Sequence, residues 1–565
     1  MTTDAAPAEL TPLRFRPERV LVYTAVAVMV GWLAIVLFWR DAPFALTFDD
    51  AFYYFGIARN VAHGHGSTFD GIDPTNGYHP LWMLMAVPVY AVGFDDTLAA
   101  RLLLALQVLI YGAALATLAS VAGRAIGGWK RLRTARPDDG DRLANWCTAM
   151  VAVTLAVCAG NPFIVKVFVN GLESGVLVLL DALVLAVGAR WRGRWLTSGT
   201  GSTRVWVGVL LALTILARTD SVLLVGALGL WTLAEARPLG RRAVRPMVEL
   251  FAPPAVTLAA YLVSNQVMFG MWLQISGVVK RAPLSATRVA IMAAVVLVAL
   301  AIGRWGHRRV AAGTRASGLF RRVVRFTSAT AWFAGFGIVV VAYYQVLQTQ
   351  QWLWYYCPVV LYLLFLLVLG VADFAESAVL QASAESSVAR ALGPIAAILL
   401  LPLVAAFAYE TWTFADPHLR SIEMANRDAG QWIDDNVPAG TVLSSWDAGV
   451  VGYYSHRPMI NLDGVANSKA FYDAGRNGTL AEFLADRNLA GVVNHGDSVD
   501  GEDPSTRQFI TDVFGPEVGA SARVLHRVPF VYSGSTTGSA GSGSGTRDLA
   551  VTLYGFTLPS SAPPS

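Results

Sequence analysis

Apolar stretches long enough to cross a bilayer recur along most of this chain, and that recurrence limits the fold more than any single motif. Lipid offers no partner to backbone N–H and C=O groups, so a spanning segment must satisfy them internally as helix. Each span needs roughly 20 mainly apolar residues. Stretches near 20–39, 97–123, 144–160, 172–189, 205–217, 220–235, 249–268, 287–303, 326–346, 355–373 and 393–410 fit that requirement, about eleven helices in all. The stretches at 205–217 and 220–235 are short and suit one tight hairpin. Composition agrees: 15% of residues are charged and mean hydropathy is +0.49, whereas soluble domains carry about 25% charged residues. The predicted fold is a polytopic α-helical membrane protein. No cleavable signal peptide is evident, since a basic stretch (Arg14, Arg16, Arg19) leads into a long first span.

Arginine and lysine gather in alternate loops: 124–143, 190–204, 237–245 and 304–325. The positive-inside rule makes these loops and the tail 1–19 cytoplasmic. The formal net charge of +4 then reflects topology rather than nucleic-acid binding. The opposite loops hold isolated cations, notably Arg59, Lys166, Arg218 and Lys280. Every motif-like segment falls on that second, outer side. An enzyme working at one membrane face would look like this, whereas a transporter would place ionisable groups near the midplane. Asp181 is the main such group. Cys147, Cys158 and Cys357 lie in or beside spans and read as small core residues.

The segment FDDAFYYFGIARN at 48–60 puts Asp49 and Asp50 where the chain leaves the first span. Two readings compete: a catalytic carboxylate pair, or Asp50 as N-cap of a helix starting at Ala51. The loop continues through His63, His65, Asn76 and His79. With Asp49 or Asp50 these histidines could hold a divalent metal, but such sites need three or four converging ligands. Polar lining or substrate hydrogen bonding is the preferred reading, and the cofactor is left open. PLWMLMAVPVYAVGF at 80–94 reads as a juxtamembrane or re-entrant helix.

Several ordered pieces resemble a known family. They are FDDAFYY after the first span, NGLESG at 170–175, LARTD at 216–220, FGMWLQISGVVK at 269–280 and WLWYYCP at 352–358. Together they resemble the GT-C superfamily of polytopic glycosyltransferases that use polyprenyl-phosphate sugars, with mycobacterial arabinofuranosyltransferases as similar relatives. Leu273 and Gln274 stand about where the family's loop usually has proline. The resemblance implies an inverting transfer from a lipid phosphosugar, with an arabinose or mannose donor, to a glycan, glycolipid or glycoprotein acceptor. Asp50 or Asp49 suits the base, Glu173 substrate orientation, and Lys280 and Arg218 the leaving phosphate. Ser276, Trp354 and Tyr355 suit substrate lining beside the loop histidines. Each has a structural counterpart: an Arg218–Asp220 ion pair, a snorkelling Lys280, an N-capping Glu173 and an interfacial aromatic belt around 352–356.

After residue 410 the composition turns polar and mixed. Apolar runs at 440–446, 457–464, 489–495 and 549–556 alternate with helical patterns such as 421–436, which suggests a small extracytoplasmic α/β domain over 411–565. The Ser/Gly run at 533–545 reads as a flexible loop. Trp446, Asp447 and Asp463 are strand-end candidates for facing the membrane site. Rival functions are a transporter, a lipid-modifying enzyme of similar build and a non-catalytic envelope-assembly protein.

Overall fold

The computed structural model describes residues 15–313, 320–381, 401–412, 414, 422–498, 504–535 and 544–556. Among them, seven helices are long and apolar enough to cross a membrane. An eighth arises if Arg321–Ala329 and Ala331–Leu347 form one span bent by 76°. The straight span expected at 326–346 is therefore broken at Thr330. Asp373 explains the first segment: its carboxylate accepts the Val323 N–H at 3.1 Å and pairs with Arg322 at 2.9 Å, which holds the opening turn. The expected span at 172–189 is the 17-residue helix Ser174–Arg190. The pieces at 205–217 and 220–235 do not form a hairpin. Gly201–Ala217 packs on Val244–Phe269, while Val222–Ala236 packs on Ala331–Leu347. Of the last expected span only 401–410 lies in the described residues, and it is helical.

Sequence patterning explains the packing. Asp96–Ile126 is alanine- and leucine-rich with small residues on several faces, and it takes Pro17–Phe38 on one side and Ser174–Arg190 on another. A Cβ at Gly123 would come within 2.2 Å of the Glu18 Cα, so glycine sets that close approach. At the opposite extreme, the apolar stretch of Ala286–Ala311 has none of its residues buried, as expected for a face turned to lipid. The protein is a polytopic α-helical membrane protein.

The C-terminal residues build a five-stranded mixed sheet. Its strands are β1 (Val442–Ser445), β2 (Met459–Asn461), β3 (Leu489–Ser498), β4 (Arg523–Ser535) and β5 (Ser544–Gly555), in the order β2-β1-β3-β5-β4. The pairs β1–β2 and β1–β3 are parallel, and β3–β5 and β5–β4 antiparallel. Strand β4 was not among the expected strands, because its basic and polar residues mask alternation. Of the loop expected at 533–545, residues 536–543 lie outside the described residues. This α/β unit rests on the membrane part through Gly449–Ser455, which packs against the helix Asp49–Ala62.

Candidate active site

The helix Asp49–Ala62 begins at Asp49 itself, with Phe48 as N-cap and no side-chain cap. The capping reading of Asp50 therefore does not hold. Its carboxylate turns into a cavity of about 310 Å³, shared with Tyr54, His79, Glu173, Arg218 and Lys280. Residues four apart lie on one helix face, so Asp50 and Tyr54 line the cavity together. Asp49 turns toward the C-terminal domain, and Tyr53, which also lines the cavity, reaches that domain with its hydroxyl.

One end of the cavity is built by Lys280 from the loop after Val244–Phe269. Its ammonium lies 3.7 Å from Asp50 Oδ2 and donates to the Tyr355 hydroxyl at 3.2 Å. Lys280 is thus turned inward rather than snorkelling. Burial raises the Asp50 carboxyl above its ordinary range; Lys280 pulls it back, while Asp447 and Glu173 push it further up. Burial lowers the Lys280 pKa, but Asp50 and Tyr355 outweigh it, and the net shift is upward. Ser276, Arg281, Trp354 and Tyr355 complete this wall, and Tyr355 stacks on Tyr344 at 4.4 Å.

The other end centres on Glu173. The NGLESG loop is held by Gln107, whose Oε1 accepts the Gly171 N–H at 2.8 Å, and by Trp82, which donates to the Gly171 carbonyl at 2.8 Å. Gly171 has φ +82°, and a Cβ there would meet the Ala51 side chain at 2.5 Å, so the loop can lie against the acid-bearing helix only with glycine. Glu173 stands at the N-cap of Ser174–Arg190, but its side chain makes no capping hydrogen bond. It accepts from the Tyr54 hydroxyl at 2.9 Å, and the same oxygen of Tyr54 receives the His79 N–H at 2.8 Å. The Glu173 carboxylate also lies 3.7 Å from His79 Nε2 and 3.6 Å from Arg218 Nε. Burial lowers the His79 pKa despite Glu173. Gln274 lies 3.2 Å from His79 Nε2, so the position where this loop departs from the family pattern supplies a cavity-lining amide.

Arg218 lines the cavity but is heavily engaged. Its side chain, only 3% exposed, bonds the Trp354 carbonyl and Asp220 Oδ2, both at 3.0 Å, and the Tyr344 hydroxyl. Arg218, expected beside the donor phosphate, thus lines the cavity while its charge is paired with Asp220. Asp49 is also reassigned. Its two oxygens accept the N–H groups of Gly449 and Val450 at 2.8 Å each, and it does not line the cavity.

Four other expected lining residues lie elsewhere. His63 and His65 are exposed at the far end of Asp49–Ala62. Asn76 is buried and ties two segments together, bonding Asn265 at 2.8 Å and the Ile275 N–H at 3.0 Å. Asp447 is 57% exposed, 4.0 Å from His495 Nδ1, and sits behind Asp49 rather than in the cavity wall. Among the described residues no group of three or more His, Cys, Asp or Glu side chains is arranged to hold a metal ion. Asp463 lies just past β2. Burial first, then the Asp50 charge, raises its pKa to about 7.

Sequence reasoning missed Tyr53, Tyr54, Gln107 and Tyr344. The i, i+4 spacing of Asp50 and Tyr54 carried a signal for one of them; the rest are set by contacts distant in sequence.

Comparison with known proteins gives three findings. Residues 415–532 match a family model described as a domain of unknown function (DUF8728). No curated protein matches the chain. Among solved structures, the crystal structure of ArnT from Cupriavidus metallidurans bound to undecaprenyl phosphate is similar to this chain. The TM-score is 0.45 and the identity 15%, covering 93% of this chain and 97% of that one.

Proposed function

We propose that this protein is an inverting glycosyltransferase that moves a sugar from a polyprenyl-phosphate donor to a hydroxyl of a cell-envelope glycan, glycolipid or glycoprotein. The observation that carries the reading is one cavity holding a partly buried carboxylate, Asp50, against a partly buried ammonium, Lys280. In this reading Asp50 takes the proton of the acceptor hydroxyl as its oxygen bonds the anomeric carbon. The bond from that carbon to the phosphate oxygen breaks, and the polyprenyl phosphate leaves with the electron pair. A single displacement inverts the anomeric centre. A positioned base contributes about 10²–10⁴-fold to such a step.

Lys280 has a second consequence here. Its flexible stem lets the ammonium leave Asp50 for the donor phosphate. Asp50 then loses the cation that lowers its pKa and becomes more basic as the donor arrives. Lys280 and the neighbouring Arg281 offset the charge developing on the leaving phosphate. Glu173, held by Tyr54 and Arg218, is placed to orient a sugar hydroxyl. The cavity and the C-terminal domain face outside the cell and the basic loops face the cytoplasm, as the loop charges favour.

Membranes containing the protein, given radiolabelled polyprenyl-phosphate pentose or hexose, should incorporate label into envelope material. Wild-type membranes that transfer no label from any such donor would remove the assignment. A reporter fused after residue 565 that is active only in the cytoplasm would reverse the orientation.

A further inference from the structure

The two adjacent acids of the helix Asp49–Ala62 have different partners. Asp50 faces the cavity, while Asp49 is turned to the C-terminal domain. Asp49 accepts two backbone N–H groups at 2.8 Å from Gly449 and Val450, just after β1. One turn on, the Tyr53 hydroxyl receives the Ala448 N–H at 3.0 Å and the Asn461 side-chain amide at 2.7 Å, joining the segments that follow β1 and end β2. These segments lie at the carboxyl ends of parallel strands, where open α/β sheets commonly form their binding crevice. In this protein part of that crevice is filled by the membrane part's own helix.

Space is as restrictive as hydrogen bonding. A Cβ on Gly449 would come within 2.1 Å of the Asp49 carbonyl oxygen and 2.7 Å of its carboxylate. A Cβ on Gly77, which lines the cavity, would meet the Val465 carbonyl oxygen at 2.2 Å. Val465 itself lines the cavity, so the C-terminal domain contributes to the wall as well as gripping the helix.

We propose that Asp49 and Tyr53 are positioning residues that seat the C-terminal domain on the helix Asp49–Ala62 and thereby fix the turn carrying Asp50. The seat is a pair of hydrogen bonds from backbone N–H groups to the two carboxyl oxygens of Asp49. Because the peptide after Asp49 begins the turn that presents Asp50, tilt at the seat moves the Asp50 carboxylate relative to Lys280. A misplacement of about 1 Å at a reacting group can cost about 10²-fold in rate. The rate consequence rests on the glycosyl-transfer reading; the docking consequence does not.

The test pairs Asp49→Asn with Gly449→Ala in the full-length protein in detergent or nanodiscs. Asn offers one acceptor where the carboxylate offers two, and the Gly449 variant alters the seat without touching a cavity-lining group. Both variants should increase hydrogen exchange at 446–461. Both should also lower kcat by about 10²-fold while leaving KM for the lipid donor within about twofold. The double variant should be no worse than either single one, because both break the same seat. Tyr53→Phe, which removes only the hydroxyl, should raise exchange at the same segment and serves for the exchange measurement if Gly449→Ala fails to accumulate; because Tyr53 also lines the cavity, only its exchange is scored. Unchanged exchange at 446–461 in Asp49→Asn would overturn the proposal, as would wild-type kcat in a variant whose exchange is raised. If the wild-type protein transfers no sugar, the exchange measurements still decide the docking role.

Discussion

Lys280 Nζ lies 3.7 Å from Asp50 Oδ2, although 230 residues of chain separate them, and each shifts the titration of the other. In the proposed reaction that cation passes from the carboxylate to the donor phosphate.

Asp50→Asn should leave the protein folded and membrane-inserted and reduce transfer by about 10²–10⁴-fold, the usual contribution of a general base. Burial raises the Asp50 pKa, so activity should fall with decreasing pH at values above the ordinary carboxylate range. A pH–rate profile whose acid limb sits at or below the ordinary aspartate value would contradict the burial argument.

Lys280→Ala should weaken use of the lipid donor about ten- to a hundredfold, since a hydrogen bond to a charged group is worth about 1.5–3 kcal/mol. It should also move the acid limb of the pH–rate profile to higher pH, because Lys280 lowers the Asp50 pKa. Donor titration and a pH series on this variant check both effects; an unmoved acid limb would separate the two residues.

Arg218→Ala should behave differently. The guanidinium neutralises Asp220 and lies beside Glu173 in a buried setting. Removing one partner of a buried pair costs about 3–5 kcal/mol. Thermal unfolding in detergent should show a markedly less stable protein, whereas a stable Arg218→Ala protein with only a raised donor KM would restore the direct phosphate role.

His456 bridges the two parts of the molecule, with Nε2 2.7 Å from Asp96 and Nδ1 2.9 Å from Asp434. Arg59 and Arg457 pair with the same two carboxylates. The hydrogen bond to Asp96 raises the His456 pKa above 6.5, burial opposes it, and Asp434 adds to the rise. A raised histidine pKa stabilises the folded state fully below the unfolded value, and that contribution is lost as pH rises through the folded value. Hydrogen exchange around 449–457 should therefore increase from mildly acidic to alkaline pH, beyond the ordinary effect of pH on exchange chemistry. The same excess should vanish in His456→Gln.

The helical membrane class was legible in the sequence because lipid forces every spanning backbone into helix, and length and hydropathy are local properties. The same holds for Asp50, Glu173 and Lys280 as cavity candidates, since charges are few on the loops of one side. The acids and bases could be located this way, but not paired. Which partners held Arg218, whether Asp49 faced the cavity or the C-terminal domain, and whether His63 and His65 approached the acids depended on contacts between distant segments. Burial decided these questions: a charge that loses water must take the nearest geometrically suitable partner, and which partner is nearest is fixed only once the helices, the NGLESG loop and the α/β domain have packed together.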